Sequence, residues 1–126
     1  MEFSFYFYPE KGYVKIVSSG HVSVEAIMDT LSAVLSHELW EPGMNIYADY
    51  TDSSTVELNS ERVAEISHIV KGKSELLGGG KMAIVMSSDL DYGFGRMFQL
   101  LTEDYISKEI NIYRDPEEAS SWIVSS

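Results

Sequence analysis

The run Met82-Ala83-Ile84-Val85-Met86 limits the fold more than any other stretch of the chain. Bounded by Gly78-Gly79-Gly80 and by Ser87-Ser88, it is too short for an ordinary helix and far short of the ~20 residues that cross a bilayer. A strand with no polar alternation must be covered on both faces, which is the condition of a parallel sheet flanked by helices.

The periods around that strand supply the rest. Aromatic residues alternate from Phe3 to Tyr8, Pro9-Glu10-Lys11-Gly12 interrupts, and alternation resumes from Tyr13 to Val17, which predicts a hairpin ended by Gly20. Ser23 precedes Val24, Ile27, Met28, Leu31, Val34 and Leu35, one helical stripe with a serine cap, ending near His37. Met44 to Tyr50 reads as a buried strand with Asp49 at its end, followed by a polar loop, Thr51 to Thr55. Asn59 or Ser60 caps a second helix that turns Val63, Ile66, Ile69 and Val70 inward, and the glycine triplet stops it.

A third helix begins at Ser88 or Asp89 and presents Phe94, Met97, Phe98 and Leu101 inward. Glu109 to Arg114 alternates as a strand. Asp115-Pro116-Glu117-Glu118 then combines an acidic cap, proline at the first helical position and glutamate at the third, opening a helix with Ala119, Trp122 and Ile123 buried. The order β-β-α-β-α-β-α-β-α predicts one α/β domain over residues 1–126: a mixed, mostly parallel sheet of about five strands with four helices.

Nine basic residues stand against twenty acidic ones, a net charge of −11, and the basic residues are scattered. Nucleic acid is bound through clustered lysine and arginine, so it is excluded as a partner, and docking to anionic lipid through charge is disfavoured. The absence of cysteine removes disulfides, thiolate metal sites and a thiol nucleophile. The N-terminal segment has no basic start and no small-residue cleavage site, so the expected location is the cytoplasm.

Fragments of catalytic and binding motifs fail on their surroundings. Gly72-Lys73-Ser74 ends like a phosphate-binding loop, but Ser67 stands where that loop needs a glycine and a helix precedes it. Gly93-Phe94-Gly95 is half a dinucleotide fingerprint with Phe98 in place of the third glycine. Glu65 and His68 form one Glu-x-x-His pair without a second, and His21, His37 and His68 share no ligand spacing. Asp49 and Asp52 form a carboxylate pair near a strand end, where α/β sites gather, yet acidic loop residues are common. No catalytic residue, metal or cofactor is expected.

Ser87 to Phe98 is the unusual stretch. Gly93 and Gly95 inside the first turns of a helix cost about 1 kcal/mol each relative to alanine. Either the helix packs closely on the sheet there, or its start bends beside a pocket formed by Tyr92, Phe94, Met97 and Phe98, with Arg96 able to hold an anionic group.

Gly20 after the hairpin, Pro42-Gly43-Met44 before a strand ending at Asp49, the glycine-led strand Lys81 to Val85, Tyr92-Gly93-Phe94-Gly95-Arg96-Met97-Phe98 and Arg114-Asp115-Pro116-Glu117-Glu118-Ala119-x-x-Trp122 form a familiar set. The chain resembles the SpoIIAA-like family, relatives of the STAS domain of anti-sigma-factor antagonists and sulfate transporters. The resemblance implies a non-enzymatic domain related to SEC14-type lipid carriers. It leads to the expectation of a binding module for a hydrophobic small molecule or lipid at Tyr92, Phe94, Arg96, Met97 and Phe98, with peripheral membrane contact, a protein partner or a homodimer.

Anti-sigma-factor antagonists are phosphorylated on a serine of an Asp-Ser-Ser-Gly segment at the start of a helix. Here Asp52-Ser53-Ser54 is followed by Thr55, and Ser60 is the better positional equivalent but lacks the preceding aspartate. The alternative is thus an interaction switch modified at Ser60 or Ser54.

Overall fold

The alternating aromatics form the expected hairpin in a computed structural model that describes residues 1–125. Strand β1 (Glu2–Tyr8) pairs antiparallel with β2 (Tyr13–His21) across a 3-10 turn, Pro9–Lys11. Helix α1 (Val24–Leu35) follows, with the Ser23 hydroxyl accepting from the Ala26 amide. Then come β3 (Asn45–Ser54), α2 (Ser60–Gly72), a single-turn α3 (Ser74–Leu77), β4 (Gly80–Val85), α4 (Asp89–Thr102), a 3-10 turn (Glu103–Tyr105), β5 (Lys108–Tyr113) and α5 (Pro116–Ile123).

The strands lie in the order β1-β2-β3-β4-β5, parallel from β2 onward. Stepping always to the next neighbour with crossovers of one hand puts α1, α2 and α4 on the same face. There Val14, Ile16, Ile46, Met82, Ile84 and Ile110 meet the helices in the main core. On the other face α5 seats Ala119 and Ile123 against Tyr47, Ala83 and Val85. The Met82–Met86 run is therefore buried on both sides, as its composition requires.

Several details depart from the sequence pattern. Strand β2 runs through Gly20 to His21. Thr51 to Ser54 extends β3, because a register shift opposite Val17 and Ser19 inserts one residue into it. That bulge inverts the alternation, so Ser53 and Thr55 turn into the core and the Ser53 hydroxyl meets that of Ser18 at 2.8 Å. Met28 and Leu101 are exposed; inward positions on their helices go to Thr30, bonded to the Ala26 carbonyl, and Thr102, bonded to Ser67. Trp122 is only half-buried, lying under the Lys81 ammonium and beside Tyr113.

At the edge of the sheet where the parallel strands begin, a Cβ on Gly78 would lie 2.5 Å from the Gly43 amide nitrogen, so only glycine fits. Beside it the Lys108 ammonium is fully buried and donates to the carbonyls of Met44 and Gly79, tying the starts of β3, β4 and β5 together.

Candidate functional site

The glycines of α4 divide the two readings of that helix between them. At Gly95 a Cβ would come within 3.0 Å of the Ile112 side chain, so this turn packs directly on β5; at Gly93 it would meet nothing within 4 Å. Close approach at Gly95 brings Phe94 and Phe98 to the sheet, where they wall a cavity of about 100 Å³ beneath α1, α2 and α4. Ile16, Ala48, Tyr50 and Met86 form much of its remaining wall.

The cavity is almost wholly apolar, and its few polar side chains are accounted for individually. Thr30 donates to the Ala26 carbonyl at 2.7 Å. Thr55 gives both its amide and its hydroxyl to the Asp91 carboxylate, which is 5% exposed in the first turn of α4. Tyr50 differs: it is 9% exposed, and its hydroxyl bonds to no other protein group among the described residues. Burial by itself pushes its pKa up to about 12. No buried side-chain polar atom among the described residues lacks a partner, so the unbonded Tyr50 hydroxyl is one that solvent or a ligand can still reach.

Of the side chains expected at the site, Phe94 and Phe98 reach the cavity. Tyr92 and Met97 pack against the edge of the main core, and Tyr92 lies under the Arg114 guanidinium, 5.9 Å from the ring centre. Arg96 is exposed and donates to Gln99, away from the cavity wall. Pattern reading missed Tyr50 and the contributions of α1 and α2, since nothing local in Ala48-Asp49-Tyr50 indicates which side chain faces a void.

The other candidates are dispersed. The Asp49 carboxylate accepts from the Thr51 amide and hydroxyl, and Asp52 is exposed farther along β3. Among the described residues no three histidine or acidic side chains are placed to hold a metal ion. His37 stacks on Phe7 at 4.7 Å, and His68 lies exposed on α2. Gly72-Lys73-Ser74 joins the end of α2 to α3, with no strand before it. Ser60 is exposed at the first position of α2, behind the Asn59 cap, and the Ser54 hydroxyl accepts from the Val56 amide.

This sheet order, with its antiparallel first strand and helices mainly on one face, is the SpoIIAA-like fold. The crystal structure of an uncharacterized protein of the DUF3478 family from Shewanella loihica PV-4, described as having that fold, superposes with a TM-score of 0.61 at 14% identity, over 97% of this chain and 92% of that one. No family model matches the sequence, and no curated protein matches it. Among the described residues no helix is long and apolar enough to cross a membrane.

Proposed function

We propose that this protein is a binding module, rather than an enzyme, for a small apolar molecule or the apolar end of a lipid-like one. The observation that carries this reading is the apolar cavity beneath α4, with Tyr50, whose hydroxyl bonds to no other protein group among the described residues, in its lining. An apolar cavity of about 150 Å³ stays dry and takes up benzene, so a chamber of about 100 Å³ suits a small ring or a short alkyl segment. Tyr50 selects ligands that carry one hydrogen-bonding group beside the apolar part, because hydrocarbon alone leaves its hydroxyl unpaired.

Leu90, Leu100 and Leu101 are exposed on α4, next to this chamber. Contact with a membrane surface would use these leucines by insertion, since a net charge of −11 gives no attraction to anionic headgroups.

Solvent extraction of the purified protein, followed by mass spectrometry, tests the reading together with thermal shifts in medium-chain alcohols, fatty acids and matched alkanes. The expected result is stabilisation by the polar-ended ligands, reduced in Tyr50→Phe to the level given by the alkane. No co-purified molecule and no shift with any of the three classes would overturn it.

A second reading, a phosphorylation-controlled interaction switch, has one observation in its favour: Ser60 is exposed at the first turn of a thirteen-residue helix. A phosphate is favoured there by the helix dipole and adds ~1.5–2 negative charges. Comparison of the pull-down partners of wild type and Ser60→Asp tests it, and identical partners would refute it.

A further inference from the structure

The two edges of the sheet are treated differently. Strand β5 is covered by side chains at its middle: the Ile110 amide donates to the Glu103 carboxylate at 3.0 Å, and the Ile110 carbonyl accepts from the Gln99 amide group. Strand β1, at the other edge, has no such cover. Its pairing with β2 runs from Glu2↔Ser19 to Tyr8↔Tyr13 without a bulge, and no side chain among the described residues hydrogen-bonds to its outer backbone. It carries no lysine, proline or inward-pointing charge between Glu2 and Tyr8, which are the usual guards of an exposed edge. Phe3, Phe5 and Phe7 on the helix side stay partly exposed, and Tyr6 and Tyr8 on the other side are exposed.

We infer that β1 is an interface for a second copy of this chain, pairing antiparallel with its own image about a two-fold axis at Phe5. That register uses the whole strand and matches like with like: Phe3 lies opposite the partner's Phe7, Phe5 opposite the partner's Phe5, and Ser4 opposite the partner's Tyr6. Charge selects the direction. Glu2 is the only charge on the strand, and parallel pairing in register would set two of them side by side. Antiparallel pairing instead moves Glu2 to the far end of the other copy, where Tyr8 stacks on Tyr13 and Lys15 lies opposite Tyr6 on β2. A two-fold contact of β1 with itself closes at two copies and joins two five-stranded sheets into one of ten.

Sedimentation over a dilution series tests this with two register-specific variants. Wild type is expected to reach twice the 14.2 kDa chain mass. Ser4→Glu with Tyr6→Glu sets like charges opposite each other across the axis and should be monomeric, whereas Ser4→Lys with Tyr6→Glu sets opposite charges there and should stay dimeric. Far-UV circular dichroism shows that both fold. Hydrogen exchange on wild type serves independently, with β1 amides slowing as concentration rises. A wild type that is monomeric throughout, or two variants of equal mass, overturns the inference. Pairing of β1 with an added peptide but never with itself would assign the edge to another protein and likewise refute it.

Discussion

The carboxylate of Asp91 accepts both the amide and the hydroxyl of Thr55, so the first turn of α4 is fastened to the end of β3. Both residues are buried, and the Ser88 hydroxyl caps the Asp91 amide from the other side. Thr55 lines the chamber together with Tyr50 and Phe94, so the clasp holds part of its wall. Asp91→Ala leaves the Thr55 groups without their partner, and the expected loss is about 1–3 kcal/mol in urea unfolding at neutral pH. A loss within experimental error would show that the clasp is not tight.

The same carboxyl has a pH signature. Burial raises its pKa, but hydrogen bonds from the Thr55 hydroxyl and amide and from Ser88 outweigh burial, and the net value lies below 3.8. A depressed carboxyl pKa stabilises the fold above the unfolded value, and that contribution is lost as pH falls through the folded one. Asp91→Asn is expected to flatten the acid limb of the stability profile below about pH 4 relative to wild type. Parallel profiles would contradict this.

Lys108 works in the opposite sense. Its ammonium is buried and faces carbonyls rather than a carboxylate, and desolvation lowers its pKa from 10.5 to about 8. Below that value folded and unfolded chains both carry the proton, and the fold bears the full cost of burying it. As pH rises toward the unfolded value the unfolded chain holds more protons, so stability increases. The stability difference between wild type and Lys108→Met should therefore shift in favour of wild type from about pH 8 to about pH 10, measured by chemical denaturation. A constant difference would mean that Lys108 has the same pKa in the folded and unfolded chains, contradicting the lowered value.

Gly93 and Gly95 should part company on substitution. Gly93→Ala adds a methyl group into open space on a helix and is expected to stabilise by about 0.5–1 kcal/mol. Gly95→Ala earns the same backbone gain but presses on Ile112 at 3.0 Å, so it should be the less stable of the two in thermal denaturation. The reverse ranking would place α4 farther from β5.

Much of the fold was legible because its signals are local. The Ser23, Asn59 and Asp115 caps, the Phe3–Tyr8 alternation and the Met82–Met86 run each depend on neighbours in the chain. Misreadings came where polar side chains are buried with their hydrogen bonds satisfied inside the fold. Thr30 and Thr102 take inward places that apolar counting gave to Met28 and Leu101, and the β3 bulge hides Ser53 and Thr55 in what reads as a loop. The candidate site was half legible. Phe94 and Phe98 stand out on an amphipathic helix, but Tyr50 matters only through the void it faces, and a void is a property of three helices and a sheet together.

Ligand binding to the cavity can be measured against a version with the cavity filled. Ala48 is buried in its wall, and Ala48→Leu would occupy much of the space while adding only apolar surface. Calorimetric titration with a medium-chain alcohol should give saturable heat with wild type and none with Ala48→Leu, whose ligand-free form should melt no lower. Equal binding by both proteins, or binding by neither, would contradict the assignment of this chamber as the site.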